Sequence, residues 1–319
     1  MQQHANQVVV FCALDRVFSE SQLADFTKTT GIVVQPKFDT ESTKTVGLVN
    51  QILEQADRGV CDVFWNNEIL HTLRLKRAGL LVPFALEDAV HFPAEFRCPD
   101  GQWYGLAARA RVLIVNTNLL PDPAQYPTSI DDLADPKWKG RGCLAKPLFG
   151  TTATHFAVLY QQMGSEKFTE FVAQLPANDV GILSGNRQVA ADVAAGKYAF
   201  GWTDTDDYQV EKLDGSPVAL VYPDQAVDQM GCLLLPNTIA IIKGGRNESQ
   251  AQALVKHVLA GPVESALAQS PSAQFPLDRR VQVRSALLPE DNVRWMTVDW
   301  EQAVEAWDAA NPILQKVFY

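Results

Sequence analysis

Residues 8–13, Val-Val-Val-Phe-Cys-Ala, form an unbroken apolar run that stops at Leu14-Asp15-Arg16. Six residues are short for a helix and suit a strand buried on both faces. A helix follows, with Phe18, Leu23 and Phe26 as its main apolar residues, and residues 31–36 read as a second strand. The polar loop Asp39–Thr45 opens a helix carrying Val46, Val49, Ile52 and Leu53, which ends near residues 57–59. Residues 60–65 make a third strand with Asn66, Asn67 and Glu68 at its carboxyl end, and residues 69–79 are again helical. Strands alternating with helices predict a parallel sheet with right-handed crossovers, whose ligands bind off the carboxyl ends of the strands. The polar loops at 14–16, 41–44 and 66–68 lie at that edge.

Farther on, residues 106–116 read as a long strand, able to cross from one lobe to another, with Arg109 and Arg111 near its start. A Pro-rich loop at 121–127, a short helix from Ser129 and a strand at 143–145 come next. Gly150-Thr-Thr-Ala-Thr-His155 opens a helix to about residue 164. A second α/β unit follows: helix 166–174, strand 180–183, helix 187–195 after Gly185-Asn186, and a strand from Tyr198 to Trp202. Strands at 218–222, 231–236 and 238–243 precede helices at 249–260 and 262–269. The tail, 290–319, reads as helical with Trp295, Trp300, Val304 and Trp307 on its apolar side.

A chain of 319 residues is long for one core and comfortable for two lobes. Its 47% hydrophobic and 20% charged residues are ordinary for a globular protein, and no apolar run approaches a membrane span. The net charge of -10 argues against a nucleic-acid partner. Cys12, Cys61, Cys98, Cys143 and Cys232 are scattered and form no C-x-x-C, so a zinc site is not expected and the pairing of any disulfide is left open. Polar residues 1–7 lead straight into the first strand, without the pattern of a signal peptide.

Catalytic signatures are missing from the sequence. There is no G-x-S-x-G, no phosphate-binding G-x-x-x-x-G-K-[ST] and no G-x-G-x-x-G. His4, His71, His91, His155 and His257 lack H-x-x-x-H spacing. The protein is therefore not expected to be an enzyme. Binding chemistry is better represented. The strand entered from Gly196 runs into Asp204, Asp206 and Asp207, with Thr203 and Thr205 beside them. Carboxylates at the carboxyl end of a buried strand cost free energy unless something cationic meets them; alternatively Asp206 or Asp207 caps the next helix. With Glu68 and Glu41 from other loops, the aspartates form a candidate set for a hard metal ion or an amine. Thr151, Thr152 and Thr154 place hydroxyls at a helix N-terminus, a setting that suits an anion or simply a cap. Arg109 and Arg111 share one strand face, which either faces an anion or carries salt bridges. Asp15 and Asn67, at strand ends, complete the candidate ligand contacts.

Residues 10–15, Thr30-Gly31-Ile32, 61–67, 100–105, 108–116 and 133–140 together resemble the periplasmic solute-binding proteins of ABC importers, in the branch named for ferric-iron binding. The resemblance extends over roughly residues 8–285. It implies a type II periplasmic binding fold: two α/β lobes joined by hinge strands, with ligand in the cleft between them. The implied lobes are 7–108 with 232–283, and 109–231 with 284–319. It also implies a periplasmic or extracellular location, a membrane permease as partner and a monomeric state. Ferric binders of this branch use two adjacent tyrosines after the strand that here ends at Trp202; the matching positions read Asp206-Asp207, with Tyr208 one step beyond. The histidine common in the first loop is absent from Ala13-Leu14-Asp15, whereas Arg109, Arg111 and Thr151–Thr154 fit the branch's anion contacts. The implied function is capture of iron or another hard metal ion, with carbonate or a similar anion. The alternatives are an organic zwitterion such as an aminoalkylphosphonate and, more remotely, an enzyme on the same scaffold.

Overall fold

The computed structural model describes residues 6–39, 45–289 and 293–319. In chain order the elements are β1 (Gln7–Cys12), α1 (Arg16–Thr30), β2 (Val33–Phe38), α2 (Val46–Glu54), β3 (Val63–Asn66), α3 (Leu70–Arg77), β4 (Leu81–Val82) and β5 (Tyr104–Asn116). Then come β6 (Gly142–Ala145), α4 (Gly150–Ala177), β7 (Gly181–Leu183), α5 (Asn186–Ala194), β8 (Phe200–Asp204), α6 (Thr205–Leu213) and β9 (Val218–Val221). The chain closes with β10 (Leu234–Ile242), α7 (Glu248–Val258), α8 (Gly261–Gln269) and α9 (Trp300–Phe318). Two compact units divide these elements. The first holds Met1–Ala108, Pro236–Ser270 and Gln274–Ala286; the second holds Arg109–Leu235, Pro271–Ala273 and Leu287–Tyr319.

In the first unit β1 lies parallel between β2 and β3, and β10 returns antiparallel to β3 and β4. The apolar run of β1 fills the core with Val8, Val10 and Phe11, all buried. Edge strand β2 tolerates Pro36, which has no N–H to give to a ladder, and the exposed Lys37. Helix α1 stops where Gly31 turns to φ 72°, a conformation that strains any residue with a Cβ, and its N–H meets the Thr27 carbonyl at 2.9 Å. The buried Asp62 carboxylate accepts from Val9 N at 2.7 Å, Asn247 N at 3.0 Å and Asn247 Nδ2 at 2.9 Å, tying β1 to the start of α7.

In the second unit β6 is parallel to β7 and β8, and β5 is antiparallel to β8 and β9. Ile114, Cys143, Val189, Val193, Tyr208 and Val218 form one apolar cluster beneath the sheet. Helix α4 is interrupted at Gly164 (φ 75°, ψ 168°), where the sequence separates two helices. Helix α9 packs along α4 and buries Trp300, Val304, Trp307 and Leu314.

Several boundaries differ from the sequence reading. The aspartate strand runs Phe200–Asp204 rather than 198–202, because its register against β5 pairs Phe200 with Val115 and Asp204 with Arg111. Residues 234–242 form one strand, uninterrupted at Pro236. The expected helix at 290–319 begins only at Trp300; Trp295 instead bridges to Cys232, whose N–H meets Arg294 O at 2.9 Å. All five cysteines are buried and free, so no disulfide forms.

Candidate functional site

The register of β5 against β8 places Arg111 directly across from Asp204. Arg109, two residues earlier on the same face, reaches that carboxylate too. Arg111 Nη1 donates to Asp204 Oδ1 at 2.6 Å, with the two side chains 0% and 5% exposed. The other oxygen, Oδ2, accepts from Thr151 Oγ1 at 2.6 Å and Asn186 Nδ2 at 3.2 Å. Arg111 also donates to Asn186 Oδ1 at 3.0 Å, Thr151 Oγ1 at 3.4 Å and Thr152 Oγ1 at 3.3 Å. Its guanidinium lies 5.0 Å from the Trp202 ring centre. A buried charge survives only when paired and hydrogen-bonded. Here the carboxyl end of β8 and the first residues of α4 and α5 supply the partners together.

Asp206 and Asp207 occupy the first turn of α6, where helix N–H groups favour negative charge. Arg109 Nη1 lies 3.7 Å from Asp206 Oδ2, and its Nε lies 3.5 Å from Asp204 Oδ2. Asp206 Oδ1 accepts from the Asp207 N–H at 3.1 Å, and Thr203 Oγ1 reaches Asp207 Oδ2 at 3.5 Å. One oxygen from each of Asp204, Asp206 and Asp207 lies within 4.8 Å of the others. That spacing suits several carboxylates around a single hard cation. Asp204 stands at the N-cap position of α6 but makes no capping bond, its carboxylate being turned to the arginines instead.

Both arginines, drawn from the sequence as candidate anion contacts, thus stand against carboxylates. Thr151 and Thr152 join the same network, whereas Thr154 Oγ1 meets Gly150 O at 3.3 Å in its own helix. The Tyr208 side chain belongs to the apolar cluster with Ile114 and Val218, and burial raises its hydroxyl pKa. Sequence reasoning does not single out Asn186 or Trp202 as site residues. The one signal for Asn186 is the Gly185-Asn186 turn after β7. His155 packs edge-on to Trp202 at 4.3 Å, buried, and neither ring nitrogen has a hydrogen-bond partner among the described residues. Burial, reinforced by the Arg111 charge, holds its pKa well below 6.5, so the ring is neutral.

The remaining candidates belong to the first unit. Asp15 is the N-cap residue of α1. Asn67 Oδ1 accepts from Thr45 Oγ1 at 2.7 Å. Glu68 is fully buried, accepting from Asn66 Nδ2 at 2.7 Å and His71 N at 3.1 Å, with His71 Nδ1 at 3.0 Å. Glu41 lies outside the described residues.

Comparison with known proteins adds independent findings. The family described as bacterial extracellular solute-binding protein matches residues 71–305. An Fe(3+)-binding periplasmic protein of Serratia marcescens is 28% identical over 190 residues, covering 60% of this chain and 54% of that protein. Iron uptake protein A1 of Synechocystis is 24% identical over 264 residues, covering 80% and 71%. This chain therefore spans about half the length of the Serratia relative. Iron-bound HitA from Pseudomonas aeruginosa superposes with a TM-score of 0.87 over 98% of this chain and 99% of that one, at 24% identity, which establishes a shared fold. The type II periplasmic binding fold implied by the sequence is the fold observed.

Proposed function

The chain belongs to the family of bacterial extracellular solute-binding proteins, and from that premise we propose that it captures a hard, multiply charged metal ion, iron foremost, for import by a membrane permease. The observation that carries this reading is the set of Asp204, Asp206 and Asp207, with an oxygen from each inside a 4.8 Å span. Ionised carboxylates are acceptors only, and three gathered together repel one another unless a cation joins them. The relatives named for iron support iron as that cation. Charge supports an accompanying anion. Three carboxylates against two guanidiniums leave one negative charge, so a trivalent ion makes the site positive, and carbonate or a similar anion offsets the excess. Thr151 and Thr152, in the first turn of α4, are the residues beside which such an anion is drawn. The protein acts outside the cytoplasm, as a monomeric binding component without catalysis.

Metal analysis of protein purified without chelator, followed by titration with ferric citrate, tests this. Near-stoichiometric iron is expected. Asp206→Asn keeps the side-chain shape and is expected to weaken iron binding at least about tenfold, by removing one charged ligand, while the protein stays folded. Unchanged affinity would return Asp206 to an ordinary place in the first turn of α6.

One observation favours a second reading. Tyr208 is buried in the core, so the first turn of α6 offers a ligand the carboxylates of Asp206 and Asp207 rather than a phenolate. Two carboxylates suit an ammonium group as well as a metal, so an organic zwitterion such as an aminoalkylphosphonate fits them. Calorimetry with aminoalkylphosphonates on iron-free protein distinguishes the two readings. Heat of binding there, with none from ferric citrate, selects the zwitterion.

A further inference from the structure

Ala107 lies inside β5, a strand buried along its whole length, yet its φ is 41°. That is the left-handed region, which strains a residue with a Cβ and persists only where the surroundings enforce it. Buried side chains hold the backbone on both sides of this bend. The Ala107 N–H donates to Glu264 Oε1 at 2.6 Å. The Ala107 carbonyl accepts from Asn237 Nδ2, which also donates to Gln274 Oε1 at 2.8 Å. Glu264, on α8, is 0% exposed and forms no ion pair among the described residues. Its carboxylate accepts backbone N–H groups instead: that of Ala107, that of Leu277 at 3.0 and 3.1 Å to its two oxygens, and that of Asp278 at 2.7 Å. Burial raises its pKa and these three N–H donors lower it. A buried carboxylate is costly without such partners, and one of the three is the strained residue. The next residue, Ala108, exchanges both backbone hydrogen bonds with Phe275, each at 2.7 Å. All of these residues belong to the first unit, which the chain leaves between Ala108 and Arg109.

We infer that Glu264 is a latch that holds Ala107 in its left-handed bend, and so fixes the conformation of β5 where the chain leaves the first unit. The N–H of Ala107 belongs to the peptide plane before the residue, and its carbonyl to the plane after it. Glu264 grips the first plane and Asn237 the second, so the rotation between them, which φ and ψ of Ala107 describe, is set from outside the strand. With the latch gone, the first plane turns, φ returns to negative values, and the change passes to Ala108 and its paired bonds with Phe275. The latch therefore works against strain, which separates it from an ordinary buried hydrogen bond. A glycine at 107 would keep the bend without any latch, because it has no Cβ to strain. The role does not depend on which ligand the protein takes.

The test is amide hydrogen exchange of the full chain at pH 7, read residue by residue by nuclear magnetic resonance. Glu264→Gln keeps the shape of the side chain but turns an NH2 group towards backbone donors. The amides of Ala108 and Phe275, which do not touch Glu264 in the bonds described above, are the reporters. In Glu264→Gln both are expected to exchange about tenfold faster than in the wild type. In the double variant Glu264→Gln/Ala107→Gly both should return to within about threefold of the wild-type rates, because the bend no longer needs holding. Unchanged exchange at Ala108 and Phe275 in the single variant overturns the latch, since Ala107 would then keep its bend unaided. A double variant that exchanges as fast as the single one also overturns it, since strain at residue 107 would then have no part in the opening. Should Glu264→Gln fail to fold, Glu264→Asp makes the same comparison: it keeps the charge but ends one carbon short of the Ala107 N–H, and the same rescue by Ala107→Gly is expected. Absence of that rescue rejects the inference.

Discussion

Asp204→Asn removes one charge from a pair that solvent hardly reaches, its side chain being 5% exposed and that of Arg111 0%. The amide oxygen still accepts from Arg111, but its NH2 replaces an oxygen that now accepts from Thr151 at 2.6 Å and Asn186 at 3.2 Å. A donor then faces a donor, and the Arg111 charge loses its nearest counter-ion. Deleting one member of a buried pair costs about 3–5 kcal/mol. At about 2–4 °C per kcal/mol for a unit of this size, the melting temperature of ligand-free protein should fall by roughly 6–20 °C. Scanning calorimetry at neutral pH measures it. The double variant Asp204→Asn/Arg111→Met should recover much of the loss, since no charge is then left alone. A drop under about 2 °C for the single variant, or a double variant no better than it, would refute the argument that the buried Arg111 charge survives only when paired.

His155→Phe should be no less stable than the wild type at pH 7, because both ring nitrogens lack partners among the described residues and the edge contact with Trp202 survives the change. Its advantage should grow between pH 7 and 5: the unfolded chain takes up a proton near 6.5 that the folded ring, with its depressed pKa, refuses. A variant that loses ground on acidification contradicts this. Asp224 presents the opposite case. Burial, with repulsion from Asp131 and Asp132, raises its carboxyl to about 6, against hydrogen bonds from Ser129 at 2.5 Å and the Ile130 N–H that lower it. The folded state therefore gains a proton first, and stability relative to Asp224→Asn should rise as pH falls from about 6 towards 3.8. Paired denaturant melts at pH 7 and 5 read the sign directly, and a flat difference rejects it.

Much of the fold is legible because it is written locally. The apolar runs at 8–13 and 60–65 and the long strand holding Arg109 and Arg111 are signals of a few residues each, and the structure builds elements on all of them. The two-residue spacing of the arginines also specifies one shared face. What that face meets is not local. The contact of Arg111 with Asp204 joins residues 93 positions apart, and it follows from the register of two antiparallel strands. A shift of one residue in that register would turn Asp204 to the other face, and no short stretch of sequence records the choice. The same holds for Tyr208, whose place beneath the sheet follows from α6 starting at Thr205, one residue after the strand ends.

Register also changes what the charges amount to. Taken singly, two arginines suggest an anion and three aspartates a cation, as though there were two half-sites. Brought into register they become one network in which Arg111 and Asp204 largely satisfy each other, with Arg109 shared between Asp204 and Asp206. Under the proposed reading, a ligand would meet not five separate charges but the small imbalance between them.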